Sequence, residues 1–387
     1  MTEEKIQSVK NQALRNNEYY GIQKAQDDLY QRSTKNLNFS NLMSLIESED
    51  NIMLAYRNIK ANKGSLTPAT DRTTIREVEI LTKEKFLTKM HNLFHNYQPR
   101  VVRRKEIPKP NGKIRPLGIP SIWDRLIQQC ILQVLEPICE AKFIKDSYGF
   151  RPNRSAENAV AKCVKHINLT KLHYVVDVDI KGFFDEVNHT KLLRQLWTLG
   201  IRDKRLLVII RKILKAPILM IDKTIHHPDK GTPQGGILSP LLANVTLNEF
   251  DHWIENQWAT RRLTNIKHSP RFNGNDYSNE LRYLKRKTNL KPMYIVRYAD
   301  DFKIFTNNRS NAEKIFKASA MWLEERLKLP ISLEKSRVTN LKKESSEFLS
   351  CRGKFLHVRA YILLLEWVII LCLQRLQWII MLNTTKT

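Results

Sequence analysis

The chain has 387 residues, enough to bury a sizeable core in two or three domain-sized units. Its formal net charge of +26, from 65 Lys and Arg against 39 Asp and Glu spread along the sequence, points to a polyanionic partner, because each neutralised phosphate releases counterions and steers association. Five cysteines, odd in number, far apart and never in a C-x-x-C arrangement, argue against a disulfide framework and a structural zinc.

Nucleic acid is the first candidate partner, although a ribosome-like RNA-binding protein or a merely soluble basic surface also fits the composition. The polar start, Met1-Thr2-Glu3-Glu4-Lys5, opens no apolar run of secretory type, so a reducing, cytoplasmic setting is expected.

In chain order, residues 1 to about 85 read as a polar, helical, RNA-binding extension. Leu42-Met43-Ser44-Leu45-Ile46 and Met53-Leu54-Ala55-Tyr56 carry its apolar spacing, and Asn62-Lys63-Gly64-Ser65 interrupts it. A helix is expected over 83–96. Extended basic sequence then runs from Val101 to Ile107, and Pro108-Lys109-Pro110-Asn111-Gly112-Lys113 has the residues of a hairpin turn between two basic strands.

Trp123 to Cys139 places Leu126, Ile127, Cys130, Ile131, Val134, Leu135 and Ile138 on one stripe, a core helix expected to end near Pro137. Tyr174-Val175-Val176-Asp177-Val178-Asp179-Ile180 alternates as a strand does. A helix is expected over 192–199, a compact loop at Gly231-Thr232-Pro233-Gln234-Gly235-Gly236, and a further helix over 237–254. The stretch 261–291 is polar and basic, an insertion or surface element.

Asp300 and Asp301 lie between two apolar runs, Met293 to Val296 and Phe302 to Phe305. Successive strand residues point to opposite faces, so both carboxylates converge on one site only at a tight turn between strands. Asp179 closes a Val-rich strand, where an unpaired charge is costly unless a cation offsets it. Three such carboxylates suit two Mg²⁺ ions roughly 3.5–4 Å apart, the arrangement of two-metal nucleotidyl transfer. Any one of these aspartates alone reads equally well as a surface residue at a strand end.

Taken together, Asp179-Ile180-Lys181-Gly182-Phe183-Phe184-Asp185, Gly231 to Pro240 and Tyr298-Ala299-Asp300-Asp301 resemble the reverse transcriptases encoded by bacterial group II introns. Ile107 to Pro120 and Ser147-Tyr148-Gly149-Phe150-Arg151-Pro152 add to the match, which covers about residues 40–350 in the family's order. The resemblance implies an α/β (α+β) right-hand polymerase with fingers and palm over 86–350, an antiparallel palm sheet with packed helices, and a thumb that is absent or degenerate. It implies RNA-directed DNA synthesis from dNTPs on a primed RNA template with two Mg²⁺ (Mn²⁺ as substitute), and a maturase role toward intron RNA and a DNA target.

By position, the resemblance makes Asp179, Asp300 and Asp301 the catalytic metal ligands, with the carbonyl of Ile180 a further ligand. Lys109 and Arg115 would hold the triphosphate, or else form a solvated basic hairpin. Phe183, with Phe184 as the alternative, would lie under the sugar, unless either is simply core. Gln234 would sit beside the nucleotide, or its loop would be a helix-capping turn. Arg151 and Arg154 would contact nucleic-acid phosphates or form surface salt bridges, and Lys335 is a candidate general acid toward pyrophosphate.

The family pattern stops near Glu347-Phe348-Leu349, and the apolar tail within 351–387 departs from it. A truncated or frameshifted gene, an atypical thumb helix and a membrane segment are the three readings, the last disfavoured by Glu366, Gln374, Arg375 and Gln377. A non-catalytic RNA-binding splicing cofactor or inactive fragment, and a retron or phage-defence reverse transcriptase, are the rival functional expectations.

Overall fold

The structure, a computed structural model, describes residues 12–108, 114–260, 289–349 and 351–353, the last three and Arg115 by main chain only. The helices used below are α1 (Ile22–Thr34), α2 (Met43–Ile46), α3 (Glu49–Lys60), α4 (Ile75–Glu79), α5 (Lys83–His95), α6 (Ile122–Glu140), α7 (Ala156–Asn168), α8 (Phe183–Glu186), α9 (His189–Thr198), α10 (Lys204–Leu214), α11 (Ser239–Gln257) and α12 (Arg309–Trp322). The strands are β1 (Val102–Pro108), β2 (Ile114–Ile119), β3 (Tyr174–Val178), β4 (Ile218–Leu219), β5 (Ile225–His226), β6 (Tyr294–Tyr298), β7 (Asp301–Thr306), β8 (Arg337–Asn340), β9 (Ser346–Phe348) and β10 (Cys351–Gly353).

α6 is the central support. Ser121 starts it by accepting the Asp124 amide on its hydroxyl, and nearly every apolar position on the expected stripe is buried. The helix does not end near Pro137 but continues through it to Glu140. Proline deprives the Gln133 carbonyl of its intrahelical donor, and Gln26 Nε2 of α1 supplies one instead, at 2.9 Å.

The same surface receives the N-terminal helices. Gln133 Nε2 donates to Asn51 Oδ1 at 2.7 Å, Asn51 Nδ2 donates to the Cys130 carbonyl at 3.1 Å, and Ser33 Oγ donates to the Ile138 carbonyl at 2.7 Å. These helices therefore share one apolar core with α6.

β1 and β2 pair antiparallel from Arg103↔Ile119 to Pro108↔Ile114, the two strands of the expected basic hairpin, in a sheet of order β2-β1-β4-β5. The palm sheet has the order β6-β7-β3-β8, with all neighbours antiparallel. α11 and α12 cover one face, where Phe250 packs on Phe302 and Trp322 at ring separations of 5.1 and 5.4 Å. α7 covers the other through Ala159, Cys163 and Ile167, against Val175, Val296 and Phe305. Burying a side chain such as Phe302 stabilises the sheet by about 1.5–3 kcal/mol.

β9 pairs with β10 through Cys351↔Phe348, so pairing crosses the boundary expected at residue 350. Residues 354–387, and with them the tail readings and most of 261–291, lie outside the described residues. No helix among the described residues is long and apolar enough to cross a membrane.

Candidate active site

The β6–β7 register pairs Tyr298 with Asp301, which leaves Ala299 and Asp300 as a two-residue loop. Ala299 adopts a left-handed φ of 58°, a conformation that costs an L-residue roughly 1–2 kcal/mol. The surroundings hold it there. Arg297 Nη1 donates to the Ala299 carbonyl at 2.7 Å, and Gly149 lies so close that a Cβ on it would meet the Ala299 nitrogen at 2.2 Å.

β3 lies on the other side of β7. The last pair of that ladder is Val178–Phe302, so Asp179 leaves β3 at the same end of the sheet at which Asp301 opens β7. Asp179, Asp300 and Asp301 thus lie at one end of the palm sheet. Among the described residues no group of three or more His, Cys, Asp or Glu side chains forms a ready-made metal cage.

The donor set is nevertheless all oxygen, which fits a hard divalent cation such as Mg²⁺ or Mn²⁺. The electrostatics fit as well. Asp301 reaches solvent, yet the protein packed around its carboxyl pushes its pKa up to about 6, with Asp177 and Asp300 adding to the rise. Lys303 and the Leu349 amide act in the opposite direction. Lys303 is itself paired with Asp177 and donates to Ser346 Oγ at 2.7 Å, which ties β9 to this face.

On the far side of Asp179 lies the segment 330–336. Ser332 donates its amide to the Asp179 carbonyl at 2.8 Å, and Lys181 donates its own to the Pro330 carbonyl at 2.9 Å. Because backbone groups alternate along a strand, the intervening Ile180 carbonyl faces the β7 edge, the side of the carboxylates. Lys335 Nζ lies 3.1 Å from Asp179 Oδ2.

The glycine-rich loop joins the palm to the basic hairpin. Thr232 donates its amide to the Phe184 carbonyl at 2.6 Å, and Gly118 on β2 donates its own to the Gln234 carbonyl at 2.5 Å. Gly235 has φ 105°, and a Cβ there would lie 2.3 Å from the Gly118 carbonyl oxygen, so glycine is required for this approach. Gln234 is half-buried between these two anchor points.

Two expectations need correction. Phe183 is 3% exposed within the apolar core, which leaves no open face for a ribose, whereas Phe184 is only partly buried against that core. Arg151 is not available to nucleic acid. Its Nε and Nη2 donate to Glu140 at 2.8 and 2.6 Å, and its Nη1 donates to the carbonyls of Ile144 and Ser147 at 2.5 and 2.6 Å. Arg154 remains half-buried, donating to the Lys145 carbonyl at 2.8 Å beside the Tyr148 ring. Lys109 and the Arg115 side chain lie outside the described residues.

Sequence reading missed Arg297 and its partners Asp251 and Asn244, which bond to it behind the Ala299-Asp300 turn. The signal was present. A cation inside Ile295-Val296-Arg297-Tyr298 requires a buried partner.

A family profile described as reverse transcriptase (RNA-dependent DNA polymerase) matches residues 107–352. Protein YkfC of Escherichia coli is 31% identical over 311 residues, covering 79% of this chain and 81% of that protein. The group II intron-encoded protein LtrA of Lactococcus lactis subsp. cremoris is 32% identical over 334 residues, covering 78% of this chain and 55% of that one. The putative COX1/OXI3 intron 1 protein of Saccharomyces cerevisiae is 28% identical over 334 residues, and the chain covers 39% of it. The chain thus spans most of one relative but about half or less of the other two. A profile that takes in β2, the glycine-rich loop and the Ala299-Asp300 turn, together with these relatives, establishes that the chain belongs to the reverse transcriptases and maturases of the group II intron type.

Proposed function

We propose that the chain is an RNA-directed DNA polymerase that extends a primer 3′-hydroxyl with dNTPs on an RNA template. The observation that supports this reading is the order β6-β7-β3, which brings the end of β3 that leads into Asp179 to the same end of the palm sheet as the Ala299-Asp300 hairpin. Asp179, Asp300, Asp301 and the Ile180 carbonyl would hold two Mg²⁺, or Mn²⁺ in their place. When bound, these ions supply Lewis-acid activation of the 3′-hydroxyl and neutralise charge on the triphosphate.

The chain's own groups do the rest. Lys109 and Arg115 bind the triphosphate from the basic hairpin, with Lys as a point charge and Arg as a fork matched to phosphate oxygens. Gln234 is held beside β2, where it positions the incoming nucleotide. Phe184, the more exposed of the two rings, limits space at the sugar 2′ position. Lys335, whose Nζ lies beside Asp179, donates a proton as pyrophosphate leaves.

The net charge of +26 supports wider contact with RNA, including an intron RNA in a maturase role and a DNA target in mobility. Primer extension on an RNA template with dNTPs and Mg²⁺ tests the polymerase reading. Product is expected from the wild type and none from Asp300→Ala. RNA binding without product, from folded protein, would favour a splicing cofactor that lacks catalysis.

A further inference from the structure

We propose that Arg297, Asp251 and Asn244 are positioning residues that clamp the Ala299-Asp300 turn and so fix where its carboxylates present themselves. The proposal rests on the polymerase reading above.

Arg297 lies on β6 and Asp251 on α11, and both side chains are fully buried. Arg297 Nε donates to Asp251 Oδ1 and Oδ2 at 2.8 and 3.0 Å, and its Nη2 donates to Oδ2 at 2.6 Å. Its Nη1 carries two further bonds, to Asn244 Oδ1 at 2.9 Å and to the Ala299 carbonyl at 2.7 Å. One guanidinium therefore joins a helix to the carbonyl of the strained turn residue.

Stability alone does not account for this choice. A buried ion pair loses so much hydration that a well-packed apolar pair is often as stable or more so. An apolar pair, however, has no donor for the Ala299 carbonyl. What the guanidinium adds is a directed bond to Ala299, the residue that immediately precedes Asp300 and Asp301.

The opposite side of the turn is gripped as well. The Arg297 amide donates to the Asp146 carbonyl at 2.9 Å, and the Tyr148 amide donates to the Arg297 carbonyl at 2.8 Å. This segment ends at Gly149, whose missing Cβ permits the close approach to Ala299. Asn244 Nδ2 donates to the Gly149 carbonyl at 2.8 Å, so Asn244 links the strap to Arg297.

Asn244 and Asp251 lie on α11, which begins at Ser239 just after the glycine-rich loop. Ser239 Oγ donates to the Pro233 carbonyl at 2.7 Å, fastening that loop to the helix start. A single helix thus references both the Gln234 loop and the carboxylate turn. The clamp holds the distance between nucleotide and catalytic carboxylates constant while the chain works.

The test uses the full chain with Asn244→Ala, which keeps the Arg297–Asp251 pair, and Arg297→Lys, which keeps the charge but not the fork. Mn²⁺ binding is followed by electron paramagnetic resonance, with Asp300→Ala defining the signal from the site. Folding is followed by thermal melting, and kcat and the dNTP KM by primer extension. In folded Asn244→Ala, Mn²⁺ affinity is expected to fall about tenfold and kcat about 10- to 100-fold, with KM little changed, as for a misplaced reacting group. Arg297→Lys should follow the same pattern more strongly.

Wild-type Mn²⁺ affinity and kcat in a folded Asn244→Ala protein would overturn the clamp, leaving Asn244 as packing only. Failure of the polymerase reading looks different. The wild type would then bind Mn²⁺ and lose affinity on Asn244→Ala, yet make no product.

Discussion

Lys335 Nζ lies 3.1 Å from Asp179 Oδ2, which places a side-chain cation at the carboxylate end of the palm sheet. The two residues come from segments 156 positions apart, joined because 330–332 pairs alongside Asp179 and Lys181. The lysine is 59% exposed, so its ammonium stands open to solvent beside the carboxylate.

If Lys335 protonates the leaving pyrophosphate, Lys335→Ala should lower kcat by about 10²-fold, with little change in the dNTP KM. Single-turnover primer extension measures the chemical step directly. A kcat near that of the wild type would reduce Lys335 to a surface ion pair.

The two phenylalanines should separate cleanly. Phe184→Val is expected to keep the fold and to raise ribonucleotide incorporation, measured by competition between NTPs and dNTPs. Phe183→Ala empties a position in the core and should cost about 3–5 kcal/mol in denaturant unfolding. Unchanged sugar discrimination in Phe184→Val would reject it as the gate.

Arg151 and Arg154 should also differ in kind. Removing Arg151 leaves Glu140 with the longer 3.8 Å contact to Arg154 and the Ile144 and Ser147 carbonyls without their donor, and is expected to cost about 3 kcal/mol of stability without altering the salt dependence of RNA binding. Arg154→Ala should leave stability near that of the wild type and reduce the salt slope by roughly 0.7–0.9, the loss of one phosphate contact. Filter binding across a salt series, with parallel denaturant melts, reads both outcomes.

His166 provides a pH dependence away from the active site. Its ring stacks between Tyr294 and Phe305 at 5.1 and 5.3 Å, and neither ring nitrogen has a hydrogen-bond partner among the described residues. Burial lowers its pKa from 6.5 to about 4, and the neighbouring Lys162 acts in the same direction. Between those values the unfolded chain binds the extra proton, so stability is fully present above about pH 6.5 and declines as pH falls toward 4. The contribution is about 3 kcal/mol. His166→Phe should flatten that part of the acid limb in unfolding curves at pH 7 and 4.5, and an unchanged limb would remove His166 as its cause.

The sequence by itself determined many of the elements and the carboxylates that stand at the end of the palm sheet. Alternation marked β3 and the β6–β7 pair, and helical spacing marked α6 and α11. These signals are local, so a single strand or helix suffices to reveal them. The adjacency of Asp300 and Asp301 likewise required a tight turn, and the register supplied it.

Only the tertiary structure decided which charged and aromatic residues face solvent. Arg297 and Asp251, 46 positions apart, meet with no exposure, and Arg151 spends its donors on Glu140 and two carbonyls rather than on phosphate. Phe183 and Phe184 are neighbours of the same type, yet the packing around α8 buries the first and leaves the second partly open. Residue type states what a side chain can bond to. Which partner arrives is set by segments distant in the chain, because a desolvated charge or ring persists only where the whole fold brings a matching surface to it.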